Sequence, residues 1–388
     1  MIEIIMFNLL ALVALIVGIA IIPMTFKEST PIKLFYQHYF IRKPIIWMIF
    51  IGFISWILVM YIQQSEFPTW SIIPLTVTGI ALFLTYKLHP ESAFKAVDYP
   101  EFTKNISSLP IDNDKEIAVI EFNGITKCYP LDYVIHHHIV NDKFDSKIIA
   151  LTYCAMCRSV IPFDVTELGP LFVAALKNGN MVVADRKTKT FFQQSTFQSM
   201  IGKLHPSELN MIPFQILSWF DVKKTISNPI VVKVSKKDFR AFELPIPGVW
   251  KKVVSGETIP GVSKKNRDIT FPARTRVIGI TDNSISEKLV YLRKEIIEKN
   301  IVLNDEFGFF LIKNNNIVNA YRNSINNSKL SVSFSNDVIV DDKSGTEWDI
   351  RGKYIAGKIS KNLEPIMISD EYWFSWKKFQ GKSKLVRL

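Results

Sequence analysis

Cys154 and Cys157 stand with two residues between them in "LTYCAMCRSV", and that spacing serves two chemistries. As thiolates the pair is half of a tetrahedral metal site, and as thiols it can cycle to a disulfide. Three histidines, His136, His137 and His138, precede the pair by what reads as one short helix and one strand. A thiolate and imidazole ligand set suits zinc or copper. Neighbouring residues on a helix point about 100° apart, so one of His137 or His138, not the whole run, can join the cysteines. The leading expectation is therefore a zinc or copper ion held by Cys154, Cys157 and His137 or His138. Asp142, Asp164 and Asp185 lie in apolar contexts and could orient an imidazole, although aspartates there more often close turns. Arg158 could stabilise a thiolate.

The rival expectation is a thiol–disulfide protein. A reactive dithiol gains from a helix N-terminus behind its first cysteine, and "RSVIPFDV" is rich in β-branched residues and starts no good helix. A third reading is a non-catalytic scaffold or interaction module, its cysteines buried as small apolar groups and its histidines on a solvated face. Three cysteines in 388 residues exclude a disulfide-stapled secreted scaffold and leave Cys128 without a partner. There is no phosphate-binding glycine loop, serine nucleophile elbow or zincin motif.

The elements that must position these residues change character along the chain. From Glu116 the pattern is of short strands: "IAVIEF", an Asn123-Gly124 turn, then "ITKCYP" predict a hairpin. "LDYVIHHHIVND" reads as a helical turn, "KIIALTY" as a buried strand running into the cysteines, and "SVIPF" as a strand leaving them. A weak repeat pairs "HIVNDKF", "VVADRKTKTFF", "MIGKL" and "LSWFDVKK" with "IVLNDEF", "VIVDDKSGTEW", "IAGKI" and "FSWKKFQ", about 155 to 163 residues later and in the same order. The expected fold is α+β: a transmembrane region over residues 1–90, then two degenerate β-rich repeats at 116–224 and 273–388. A basic, proline-containing connection over 225–272 joins them. The second repeat has no cysteine or histidine and is expected to be scaffold or cap.

Ile4–Met24, Ile45–Ile62 and Ile72–Tyr86 are apolar runs, the third near the lower limit for crossing a bilayer. Lys27, Lys33, Arg42 and Lys43 lie between the first two, and Lys87 and Lys95 follow the third. The N-terminus and "QQSEFPTWS" carry no Lys or Arg. The positive-inside rule then makes a multi-pass inner-membrane protein with its large part in the cytoplasm, or outside it if the third run does not span. The bilayer is the one partner the composition names. The net charge of +11 sits almost wholly beyond residue 100, in scattered clusters without a nucleic-acid motif, which argues against nucleic acid as a partner.

Taken together, "CYPL", "HHIVND", "LTYCAMC", "PFD" and "ADRKTKTFFQQ" resemble the bacterial domain of unknown function 3179 family over roughly Glu116 to Lys224. The resemblance implies a polar signature of His137, Asp142, Cys154, Cys157, Asp164 and Asp185. His138 stands where relatives often have Glu, and the paired histidine looks like a membrane-anchored subgroup. A tryptophan near Phe192 and a basic residue at Val165 are missing. The resemblance implies no established activity.

Overall fold

The computed structural model describes residues 2–64, 67–235, 238 and 248–388. The sequence expectation for the connection falls partly outside these residues, at 236, 237 and 239–247.

The chain opens with helices α1 (Ile2–Ile19), α2 (Ile21–Phe26), α3 (Ile32–Gln64) and α4 (Ile72–Lys87), followed by the short α5 (Pro90–Ala93). Three segments, Ile2–Phe26, Ile32–Gln63 and Thr69–Lys87, are long and apolar enough to cross a membrane. Even the shortest reaches about 28 Å at 1.5 Å per residue. Their outer faces carry Leu12, Ile16, Met48, Ile51, Leu58, Ile73 and Phe83, all exposed, a surface that suits lipid and not water. α1 and α4 approach closely: a Cβ on Gly18 would stand 2.8 Å from the Ala81 carbonyl oxygen.

α3 outlasts a bilayer crossing at its N-terminal end. Phe35, Tyr36 and Tyr39 pack on Phe172 and Phe191 of the β region, ahead of Arg42, Lys43 and the helix-internal Pro44. Lys177 Nζ donates to the carbonyls of Glu28 and Thr30, and Lys378 pairs with Glu28 at 2.9 Å. The end of α2, the start of α3 and Leu88, just past α4, all meet the β region.

That region contains two units of matching strand order. In the first, strands β1 (Glu116–Phe122) and β2 (Ile125–Pro130) form the expected hairpin, and α6 (Leu131–His137) follows. Next comes a meander of β3 (Ile139–Phe144), β4 (Lys147–Cys154) and β5 (Ser159–Asp164), then a second meander of β6 (Leu171–Lys177), β7 (Asn180–Asp185), β8 (Phe191–Gln193) and β9 (Ser199–Ile201). The chain returns to the first sheet with β10 (Gln215–Ser218), antiparallel to β1. It then forms α7 (Trp219–Thr225) and ends in β11 (Ile230–Val232), parallel to β2.

After helix α8 (Gly248–Val254), the second unit runs through the same sequence. β12 (Arg276–Ile280) and β13 (Leu289–Leu292) pair, and α9 (Arg293–Ile297) follows. One meander is β14 (Ile301–Asn304), β15 (Phe309–Asn314) and β16 (Ile317–Arg322). The other is β17 (Val332–Ser335), β18 (Val338–Asp341), β19 (Thr346–Asp349) and β20 (Tyr354–Ala356). β21 (Ile368–Tyr372) pairs antiparallel with β12, α10 (Trp373–Phe379) follows, and β22 (Lys384–Val386) lies parallel to β13.

The units are not separated by a passive linker. Ile259 and Val262 of the connection and Phe374 of α10 enter the same apolar core as Cys154, Cys157, Phe163 and Phe192. Burying these side chains together, at about 25 cal/mol per Å2 of apolar surface, ties the two units into one core at the cysteines.

Candidate functional site

β4 brings Cys154 to the end of a strand buried on both faces, and β5 starts after four intervening residues. The amides of Cys157 and Arg158 both donate to the Cys154 carbonyl, at 3.1 and 2.7 Å, closing a tight turn with Arg158 at a φ of 60°. Both cysteines are reduced, and they are 2% and 0% exposed. Cys154 lines a largely apolar cavity of about 300 Å3, and Cys157 lies behind it. Met156, Leu176, Met181, Val253 and Phe94 supply much of the wall, with His138, Arg274 and Tyr372 as its polar members.

The two thiols are driven apart electrostatically. Burial alone would push the Cys154 thiol up. The Cys157 S–H and the backbone amides of Cys157, Met181 and Met156 outweigh it, holding Cys154 below the ordinary thiol value. Cys157 is pushed well above that value, by burial first and then by its hydrogen bond to Cys154. Its sulfur also lies 3.2 Å from the Gly179 carbonyl, a second acceptor, and receives Asn180 Nδ2 at 3.2 Å. Asn180 belongs to a buried amide and hydroxyl network: its Nδ2 reaches Gln194 Oε1 and Ser195 Oγ at 3.0 and 2.6 Å, and Gln193 Nε2 donates to its Oδ1 at 2.5 Å. Such a satisfied network fixes the geometry around the inner sulfur.

His138 ends α6 with a φ of 60° and packs edge-on to Phe94, ring centroids 4.4 Å apart. Its Nδ1 lies 3.2 Å from the Tyr153 carbonyl, so Nδ1 carries the hydrogen and Nε2 is the acceptor. Burial lowers its pKa to about 4, and the ring is neutral at physiological pH.

The expected metal cluster does not form. Among the described residues no group of three or more His, Cys, Asp or Glu side chains converges to hold an ion. His137 points elsewhere: its Nδ1 is 3.4 Å from the Lys95 carbonyl, and its Nε2 is 3.9 Å from Asp238. The aspartates expected to support a ligand are committed to other work. Asp142 accepts from Tyr129 Oη at 2.6 Å and Lys127 Nζ at 2.8 Å, and Asp164 pairs with Lys147 at 2.6 Å. Asp185 is fully buried and closes its own turn, accepting from the amides of Lys187, Thr188 and Thr190. Arg158 is committed away from the cysteines, gripping Glu116 through both carboxylate oxygens at 2.8 Å and facing Asp370 at 3.6 Å. Cys128 belongs to a different core, with Trp219 and Val231, where burial pushes its thiol up to about 12.

The cation that does face the dithiol is Arg274. It lines the cavity beside Cys154, donates to the carbonyls of Met156 and Val253, and stacks 4.7 Å from the Tyr372 ring centroid. It comes from the approach to the second unit, which also provides Tyr372, whose amide donates to the Cys157 carbonyl at 2.9 Å. The second unit, expected to be scaffold or cap, thus supplies part of the wall around Cys154. Sequence reasoning missed Arg274, Tyr372, Ser375 and Glu371 because none carries a motif. The repeat read from the sequence sets Trp219 against Trp376, but the strand register sets it against Trp373, three residues earlier, and so sets Leu217 against Glu371.

Comparison with protein families matches residues 92–383 to the family described as "Protein of unknown function (DUF3179)". The match covers most of the chain, and the protein belongs to that family. The matched span runs through both β units, and so is wider than the 116–224 of the sequence resemblance. Neither curated proteins nor solved structures give a match.

Proposed function

We propose that this chain is a membrane-anchored thiol–disulfide exchange protein, with Cys154 as the attacking thiol and Cys157 as the resolving one. One observation carries the reading: of two adjacent buried thiols, the one with the lowered pKa lines a cavity, and its partner sits behind it as hydrogen-bond donor. A thiolate is the attacking species in exchange, so the asymmetry assigns the order of attack. Arg274 supplies positive charge at the cavity wall, and the apolar lining suits a disulfide flanked by apolar groups. The α1–α4 anchor holds this cavity near the bilayer. Three candidate spans and six basic residues on the β side support a cytoplasmic cavity by the positive-inside rule.

Alkylation of the detergent-solubilised full chain, followed by mass spectrometry, tests the assignment. N-ethylmaleimide is expected to label Cys154 far faster than Cys157 or Cys128, and mild oxidation to join Cys154 and Cys157 reversibly. Thiols inert to both reagents would sink the proposal in favour of a scaffold role. Stoichiometric zinc or copper, lost in Cys154→Ser, would return the site to a metal centre.

A further inference from the structure

Glu371 is a carboxylic acid buried in a place where the fold needs none. On β21 it pairs with Val277 of β12, and the matching position of the first unit is Leu217, which pairs with Ile117 of β1. Both residues are buried, Glu371 at 3% exposed. An isolated buried carboxyl costs stability, and the first unit builds the same sheet with an apolar side chain there. The carboxyl faces the cysteine core through Ser375. Ser375 Oγ donates to Glu371 Oε2 at 2.5 Å and Ser369 Oγ holds Oε1 at 3.0 Å, while Ser375 is near enough to Cys157 to favour its thiolate.

We propose that Glu371, acting through Ser375, accepts the proton of Cys157 during the resolving step of thiol–disulfide exchange. This rests on the exchange reading above and assigns the one proton it leaves unplaced. A hydroxyl has a single hydrogen and two lone pairs, so Ser375 can donate to only one of its two neighbours at a time. With Glu371 ionised, Ser375 donates to the carboxylate, and once Cys154 is tied up in the mixed disulfide the Ser375 oxygen can receive the Cys157 S–H. With Glu371 protonated, the carboxyl donates to Ser375, whose hydrogen turns to the Cys157 thiolate. Passing one proton from sulfur to carboxylate interconverts the two states without moving a heavy atom.

The chemistry balances with a disulfide, RS–SR′, as oxidant. The Cys154 thiolate attacks one sulfur, forming the Cys154–SR bond and expelling R′S−, which takes a proton from water. The Cys157 proton passes to Ser375 as the Ser375 hydrogen passes to Glu371. The Cys157 thiolate then attacks Cys154 Sγ, the intramolecular disulfide forms, and RS− leaves. Two thiols are oxidised and one disulfide is reduced. Asn180 Nδ2, 3.2 Å from Cys157 Sγ, stabilises the transient thiolate.

Burial raises the Glu371 carboxyl to about 7, so both protonation states are populated near neutrality. The charges around it are few. Asp370 on the same strand raises it further, but is itself paired with Arg276, Arg293 and Arg158. Across the core stand Cys157 and Cys154, and Arg274 lies beyond them.

The test is a stopped-flow reaction of the reduced full chain, in detergent micelles, with 5,5′-dithiobis(2-nitrobenzoate), which releases one coloured thiolate on attack and a second on resolution. In the wild type the second phase is expected to quicken through a midpoint near pH 7. Glu371→Gln and Ser375→Ala should leave the first phase unchanged and slow the second at least about tenfold, with the midpoint gone. Glu371→Asp should restore part of the rate, and Glu371→Leu, the first-unit side chain, should match Glu371→Gln in a folded protein. A second phase unchanged in rate and pH profile in Glu371→Gln would overturn the proposal. So would both phases falling together, which marks a packing role. A wild type with no first phase overturns the exchange reading, and the relay with it.

Discussion

The two β units share strand order and even turn chemistry, and they differ where it matters for the cysteines. In the first unit Asp185 receives Thr188 Oγ1 at 2.6 Å, and Thr188 and Thr190 share a hydrogen bond of 2.7 Å. In the second, Asp341 receives Ser344 Oγ at 2.6 Å, and Ser344 and Thr346 share one of 2.7 Å. Gly202 and Gly357 lie against these turns alike: a Cβ would stand 2.6 Å from Thr190 Cα and 2.4 Å from Thr346 Cα. A feature present in the unit without cysteines serves the fold, so Asp185 is explained by its turn. What the units do not share is the connection after the central strand. The first unit has the four-residue turn between Cys154 and Ser159; the second passes from Asn314 to Ile317 through Asn315 and Asn316. The second shared-strand difference is Glu371 against Leu217. Thus the turn carrying the thiols comes from one unit, and the buried acid facing them from the other.

Stability measurements can break this comparison, and Glu371 offers the largest effect. Its carboxyl rises from 4.5 in the unfolded chain to about 7 in the native one, so between those values the folded state holds a proton that the unfolded chain releases. The contribution is fully present below pH 4.5 and is lost as pH climbs through 7, a fall of up to about 3 kcal/mol. Thermal unfolding against pH should show that slope in the wild type and lose it in Glu371→Leu. A wild type with no such slope would show the acid to be solvated.

The glycines come next. Gly202→Ala and Gly357→Ala should each destabilise by about 1–3 kcal/mol, through both the clash and the positive φ of 127° and 108°. Equal losses in the two variants would support equivalent turns; a loss in only one would break the parallel. Smaller still, Asp185→Asn and Asp341→Asn should each cost about 1 kcal/mol by weakening turn hydrogen bonds, while leaving Cys154 alkylation unchanged. Slower alkylation in Asp185→Asn would return that residue to the site.

The smallest effect belongs to the partly exposed Asp164–Lys147 pair. Burial alone would raise the Asp164 carboxyl, but Lys147 and Thr166 hold it below the ordinary value. The pair therefore stabilises above the unfolded carboxylate pKa and is lost as pH falls. Asp164→Asn should cost no more than about 1 kcal/mol at neutral pH, and less in high salt.

Much of the scaffold was legible in the residues. Continuous apolar runs fix where helices can meet lipid, because a helix satisfies its backbone hydrogen bonds within one segment. The Asn123-Gly124 turn between alternating strands fixes the β1–β2 hairpin, and the spacing of Cys154 and Cys157 places both thiols on one turn. What the sequence could not decide is which neighbours those thiols meet. His137 and His138 are adjacent, yet a φ of 60° at the end of α6 leaves His138 on the cavity and His137 facing Lys95 and Asp238. Arg158, next to Cys157, is drawn away by Glu116 and Asp370, and Arg274, more than a hundred positions along, takes the place beside the dithiol. Local pattern is set by backbone sterics and periodic burial, which act over a few residues. The partners of a buried sulfur are set by how two separately closed sheets pack their apolar faces. That joins Cys157 to Ser375 across more than two hundred residues, and no spacing rule encodes it.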